Sequence, residues 1–177
     1  MFDTQAKLLL ASSYLYTNQY VEPRDVAYAA ALYEDTLKVG EPSAFFHLGK
    51  LLVEAPDGVT KDEVRGARLL QKFVDAASAR EIRDARDEIG TREKRDLLSA
   101  FIDGGGEARY ILGTLYEQGR GVSPDRQKAV SLFQDALTAG VSSSLEDEVF
   151  TALGRNDADP LGLEAPDEAE APEEAQP

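Results

Sequence analysis

The chain has 177 residues, 42% of them hydrophobic, enough for one domain or a short repeat array with a buried core. Cysteine is absent, which excludes disulfides, thiolate zinc sites and cysteine nucleophiles, and a formal net charge of -14 argues against nucleic acid, because phosphate binding needs a basic surface. No run approaches the roughly 20 apolar residues of a membrane span, so no direct membrane insertion is expected.

The opening stretch MFDTQAKLLLASSYLY lacks a basic leader region, and polar residues interrupt its short apolar run, so it does not read as a signal peptide. If Met1 is the native start, the protein is expected in the cytoplasm. If it is not, a removed leader leaves the periplasm open. Residues 6–40 then predict a helical hairpin. Leu15 and Tyr16 lie on the first helix, and Ala29, Leu32, Tyr33 and Leu37 recur at helical spacing on the second. Pro23-Arg24-Asp25 marks the turn between them.

Residues 44–77 predict a second hairpin. Its first helix carries Ala44, Leu48 and Gly49, its turn Gly58-Val59 and Thr60-Lys61-Asp62, and its second helix Gly66, Leu69, Leu70, Phe73, Val74 and Ala77. The single histidine, His47, is expected beside the apolar stripe of the first helix. It is a poor metal ligand, since Asp and Glu would have to supply every other donor. Gly49-Lys50 is not a phosphate loop, because the upstream Gly is missing and Leu51 stands where Ser or Thr is needed.

Residues 78–107 break the spacing and predict an irregular helical insertion. Ile82, Ala85, Arg86 and Ile89 form one weak stripe, and Leu97, Leu98, Phe101 and Ile102 a better one. Thr91 is placed to cap the second of these helices, and Gly104-Gly105-Gly106 to end it. The third hairpin, 108–140, is the most regular. A terminal helix over 143–153, capped by Ser143 or Ser144, carries Leu145, Val149, Ala152 and Leu153 on one face, as needed to cover the last apolar surface of an array. From Arg155 to Pro177 one Arg stands against eight Asp and Glu, among Pro and Ala without periodicity, which predicts an acidic disordered tail.

The hairpins are copies of one unit. Gly40 and Gly140 lie one hundred residues apart, and at that offset Asp25, Ala29, Leu32, Tyr33 and Leu37 fall under Asp125, Ala129, Leu132, Phe133 and Leu137. Ala44, Leu48 and Gly49 match Ala108, Leu112 and Gly113, and Gly58-Val59 matches Gly121-Val122. Asp25, Asp62 and Asp125 each stand where an Asp side chain can accept from the free amides that open a helix. Gly40 and Gly140 suit the left-handed residue that ends one. Gly49 and Gly113 sit mid-helix, where glycine costs about 1 kcal/mol against alanine. Close approach of the partner helix is the natural compensation.

The set Ala108, Leu112, Gly113, Tyr116, Gly119, Gly121-Val122, Asp125, Lys128-Ala129, Phe133, Ala136 and Gly140 resembles the Sel-one-like repeat, a relative of the tetratricopeptide repeat. The match is fullest over 108–140, then 44–77, and thinnest over 6–40, where Ser12-Ser13 replaces Leu-Gly. The resemblance implies an all-α fold, a short right-handed α-solenoid of antiparallel helix hairpins spanning 1–154. It implies protein–protein interaction, often in assembling multiprotein complexes, and in bacteria also regulation, host interaction and exopolysaccharide export. By the tetratricopeptide analogy, the concave face is lined two residues before the Leu of Leu-Gly and two, five and six after it. Those positions are Leu10, Tyr14, Thr17 and Asn18; Phe46, Lys50, Val53 and Glu54; and Tyr110, Thr114, Glu117 and Gln118.

Leu10, Tyr14, Phe46 and Tyr110 would anchor a peptide, or else pack between neighbouring repeats, with Asn18, Lys50, Glu54, Thr114 and Gln118 as the polar rim. The expected function is a non-catalytic scaffold or adaptor for a protein or peptide partner, without a cofactor, metal or catalytic residue. The alternatives are a constitutive subunit of a larger assembly, or a periplasmic exopolysaccharide-export scaffold if a signal was removed.

Overall fold

A computed structural model describes residues 4–15, 25–86 and 92–158, and the side chains within them except 79–103 and 156–158. Among these residues all regular structure is helical: α1 (Thr4–Leu15), α2 (Val26–Leu37), α3 (Pro42–Glu54), α4 (Glu63–Arg86), α5 (Arg92–Gln118), α6 (Arg126–Ala139) and α7 (Ser143–Ala158). Packing is most extensive within the pairs α1–α2, α3–α4 and α5–α6, and each pair rests on the next through α2–α3, α4–α5 and α6–α7. This nearest-neighbour order is an all-α solenoid of stacked hairpins.

The helix starts follow from local chemistry. Asp25 Oδ1 accepts from the Tyr28 amide at 2.8 Å, Asp62 Oδ1 from Arg65 at 2.9 Å and Asp125 Oδ1 from Lys128 at 2.9 Å. All three second helices therefore open on the expected aspartate cap. Gly40 and Gly140 have φ of +74° and +88° with no atom near a would-be Cβ, so backbone conformation alone asks for glycine there.

The apolar stripes meet in three cores strung along the array. Ala11, Ala29, Tyr33, Leu48 and Leu52 join α1, α2 and α3. Phe46, Leu70, Phe73, Leu112 and Leu132 join α3 through α6. Ala129, Phe133, Val149 and Ala152 join α6 to α7. No hairpin completes a core alone. A Cβ on Gly49 would lie 3.0 Å from Leu70 Cγ, and one on Gly113 would lie 2.6 Å from the Phe133 ring, so both glycines serve the close fit within a pair.

The structure corrects three local expectations. Gly104-Gly105-Gly106 does not end a helix, because α5 runs through it. The missing side chains are used for contact instead: a Cβ on Gly104 would lie 3.1 Å from the Phe46 ring, and one on Gly106 only 2.2 Å from the Gly140 carbonyl oxygen. Ser143 and Ser144 are not caps, since both lie inside the first turn of α7. Ser142 flanks it, with its carbonyl accepting from the Leu145 and Glu146 amides at 2.9 Å. Arg155 to Ala158 continue α7, although the tail was expected to begin at 155. The helical part of the insertion continues α4 and opens α5. The Thr91 cap, the stripe side chains from Ile82 to Ile102 and the tail from 159 onward lie outside the described residues.

Candidate partner-binding face

The first helices of successive units, α3, α5 and α7, are joined across one face by polar contacts. Lys50 Nζ on α3 pairs with Glu107 on α5 at 2.6 Å and with Glu54 one turn along its own helix at 3.7 Å. The Tyr110 hydroxyl on α5 donates to Glu148 on α7 at 3.0 Å, and Arg155 on α7 reaches Glu117 on α5 at 3.4 Å. These bonds arise from register. Glu107 and Glu148 stand five residues before the Leu of Leu112-Gly113 and Leu153-Gly154, so the same helical face presents both.

The positions read from the analogy divide. Leu10 is 40% exposed on α1. Tyr14 is half-buried, edge-on to Tyr28 at 5.0 Å between ring centroids. Lys50 and Tyr110 are half-buried and Glu54 and Gln118 exposed, all consistent with a wall open to solvent. Thr114 turns its hydroxyl back to the Tyr110 carbonyl at 3.1 Å, and the Gln118 carbonyl oxygen accepts from Arg120 at 3.1 Å. Asn18 and Thr17 lie outside the described residues.

Phe46 does not serve as an anchor. It is 7% exposed, its ring centroid stands 5.3 Å from that of Phe73, and α5 closes over it at Gly104. Val53 is a core residue for the same reason, 7% exposed in the middle core.

Charge on this face is unevenly matched. Glu54 and Glu107 both lean on Lys50, while Glu148 is held by a neutral hydroxyl. Burial raises the Glu54 carboxyl above its ordinary range, with Lys50 opposing and Glu107 reinforcing the shift. Burial also raises the Tyr110 phenol, and its hydrogen bond to Glu148 adds to the effect. His47 stacks on Tyr33 with centroids 5.0 Å apart, and burial depresses its pKa to about 4, assisted by Lys50 and opposed by Glu107. It packs beside the stripe, where its position in the sequence put it, and burial keeps it neutral at pH 7.

Between α5 and the start of α7 lies a recess of about 260 Å³ lined by Glu107, Val141, Ser142, Ser144, Leu145 and Glu148. Sequence reasoning missed it, because its far wall is the α6–α7 turn. The signal was the glutamate that stands at one register before two Leu-Gly pairs. Among the described residues, no group of three or more His, Asp or Glu could hold a metal ion, and no helix is long and apolar enough to cross a membrane.

The Sel1 repeat family model matches residues 42–78 and 106–141. A search of curated proteins gives no match. Among solved structures, a Sel1 repeat protein from Oxalobacter formigenes is similar with a TM-score of 0.58 and 16% identity, over 87% of this chain and 49% of that one. The protein c5321, a protective antigen present in uropathogenic Escherichia coli strains and displaying an SLR fold, is similar with a TM-score of 0.60 and 18% identity, over 86% of this chain and 26% of that one. The chain thus spans about half the length of the first and a quarter of the second. Two segments that match the Sel1 repeat model, the stacked hairpins and the fold of these neighbours agree: the chain carries Sel1-like repeats within an all-α solenoid.

Proposed function

We propose that the protein is a non-catalytic scaffold or adaptor that holds a protein or peptide segment along the face formed by α1, α3, α5 and α7, the concave side of the array. Sel1 repeat proteins are in general protein-interaction scaffolds, and this chain carries two matched repeats. The observation that carries the finer reading is the continuity of the first-helix wall. Cross-helix contacts at Lys50–Glu107 and Tyr110–Glu148 join three units into one surface. Half-buried tyrosines and accessible polar groups stand along it, while the oily stripes are turned inward. Aromatic anchors within a polar rim are what a peptide groove needs.

The test is affinity capture with mass spectrometry, comparing the wild-type chain with a Tyr14→Ala, Lys50→Ala, Tyr110→Ala variant. The variant is expected to lose the partners that the wild type retains at least tenfold, while its far-ultraviolet circular dichroism is unchanged. Tyr110 packs near Phe133, at 5.9 Å between centroids. The single change Lys50→Gln, which removes the charge without truncating a ring, therefore accompanies the triple variant. Undiminished capture of every partner by both variants would remove the groove assignment. Retention of one partner at fixed stoichiometry would favour a constitutive subunit held by another face.

A further inference from the structure

We infer that the recess between α5 and α7 seats a cationic side chain, an arginine, of the bound polypeptide. This assignment rests on the peptide-binding reading of the same face. The recess is cut by a close approach: the glycine at 106 lets the Gly140-Val141 turn come against α5, where a Cβ would lie 2.6 Å from Val141 Cγ1. Glu107 from α5 and Glu148 from α7 then line it, together with Ser142 and Ser144, whose hydroxyls lie 3.2 Å apart, and the apolar Val141 and Leu145.

The charges favour a cation. Glu107 shares its ammonium with Glu54, and Glu148 has a phenol as its bonded partner, so the wall carries negative charge beyond what Lys50 offsets. The positive end of the α7 dipole opposes a cation at this place, and Glu146 in the first turn of that helix counters it.

Arginine suits the shape and donor pattern. Its guanidinium has five N–H donors fixed in a plane, which can serve carboxylates from two helices and a serine oxygen at once. Its aliphatic stem can lie on Val141 and Leu145. An acidic side chain would face two carboxylates and be rejected, so the same recess gives the groove a direction of preference.

Phage-displayed random dodecapeptides panned on the full chain, and on its Glu107→Gln, Glu148→Gln variant, test this. Wild type is expected to enrich peptides with arginine at one fixed place. A synthetic copy of such a peptide should bind the variant at least tenfold more weakly. Replacing that arginine by citrulline should weaken binding to wild type by a similar factor and add little on the variant. The glutamine changes are isosteric, and an unchanged melting temperature shows that the fold is retained. Enriched peptides that lack a fixed arginine, yet are lost on the Tyr14→Ala, Lys50→Ala, Tyr110→Ala variant, would overturn the arginine seat alone. Enriched peptides that bind this last variant undiminished, or no enrichment at all, would overturn both the seat and the groove.

Discussion

At the scale of single residues, the decisive quantity is what closes over a side chain. His47 is held between the Tyr33 ring and the body of α3, with an imidazole pKa near 4 against an ordinary 6.5. A base whose folded pKa is depressed binds fewer protons folded than unfolded between those two values. Its contribution is therefore fully present above pH 6.5 and is lost as pH falls toward 4. Wild type is expected to lose on the order of 2 kcal/mol from this group between pH 7 and pH 4.5. Urea unfolding at both pH values should show His47→Gln losing less than wild type over the same interval; equal losses would show the imidazole to be free to charge in the fold. The place of His47 beside the stripe was legible in the sequence, as were the three aspartate caps, because each cap partner lies three residues from its aspartate. For Phe46 the sequence left groove and packing both open, and the structure chooses packing. Its position matches that of Tyr110 in the next unit, but the residue that covers it is Gly104, far along the chain, and only in this unit does an extended α5 reach back to it.

At the scale of elements, the long α5 shows how a breaker signal is overridden by packing. Three consecutive glycines read locally as an end, and isolated propensity supports that reading. The stack reverses it, because helices that cross closely gain dispersion contacts that a side chain would prevent. The three positions are therefore unequal. A Cβ at 106 meets backbone atoms of Gly140 at 2.2 and 2.9 Å, which cannot move without shifting the α6–α7 turn, whereas a Cβ at 105 meets only the Arg109 Nη1 at 3.2 Å, the far end of a side chain and not backbone. Both substitutions to alanine raise helix propensity by about 1 kcal/mol. Gly106→Ala is nonetheless expected to destabilise by about 1–3 kcal/mol through overpacking, while Gly105→Ala stays within about 1 kcal/mol of wild type. Thermal melts of the two variants decide it. Equal stability for both would mean that the turn yields easily and that Gly106 has no packing role. The second and third hairpins were legible because the Leu-Gly pair and the capping aspartate recur together in both. The course of 78–107 was not, since no second copy of that segment exists to compare it with.

At the scale of the whole molecule, the three cores overlap only with their neighbours, and this predicts how the array fails. Stability in such a stack is approximately a sum of unit and interface contributions. Val149 and Ala152, both fully buried, seal α7 against Ala129 and Phe133 of α6. Val149→Asp places an unpaired carboxylate in that seal and should cost about 3 kcal/mol or more there. Hydrogen exchange read by mass spectrometry should then show protection lost in α7 and the C-terminal part of α6. Protection in α2 and α3 should remain, because their core is built from Ala29, Tyr33, Leu48 and Leu52 and shares no residue with the last one. Leu112→Asp, in the middle core, should by contrast strip protection from units on both sides, since that core draws on α3, α4, α5 and α6 together. If Val149→Asp lowered protection equally in every helix, the molecule would be one cooperative core and not a chain of coupled pairs. The proposed partner face depends on the same arithmetic, for Glu148 and Arg155 are set against α5 only while the Val149 seal holds α7 in place. A variant that frays α7 should thus lose the contacts that Tyr110 and Glu117 make to it, and with them the α7 end of the proposed groove, before the N-terminal units are disturbed.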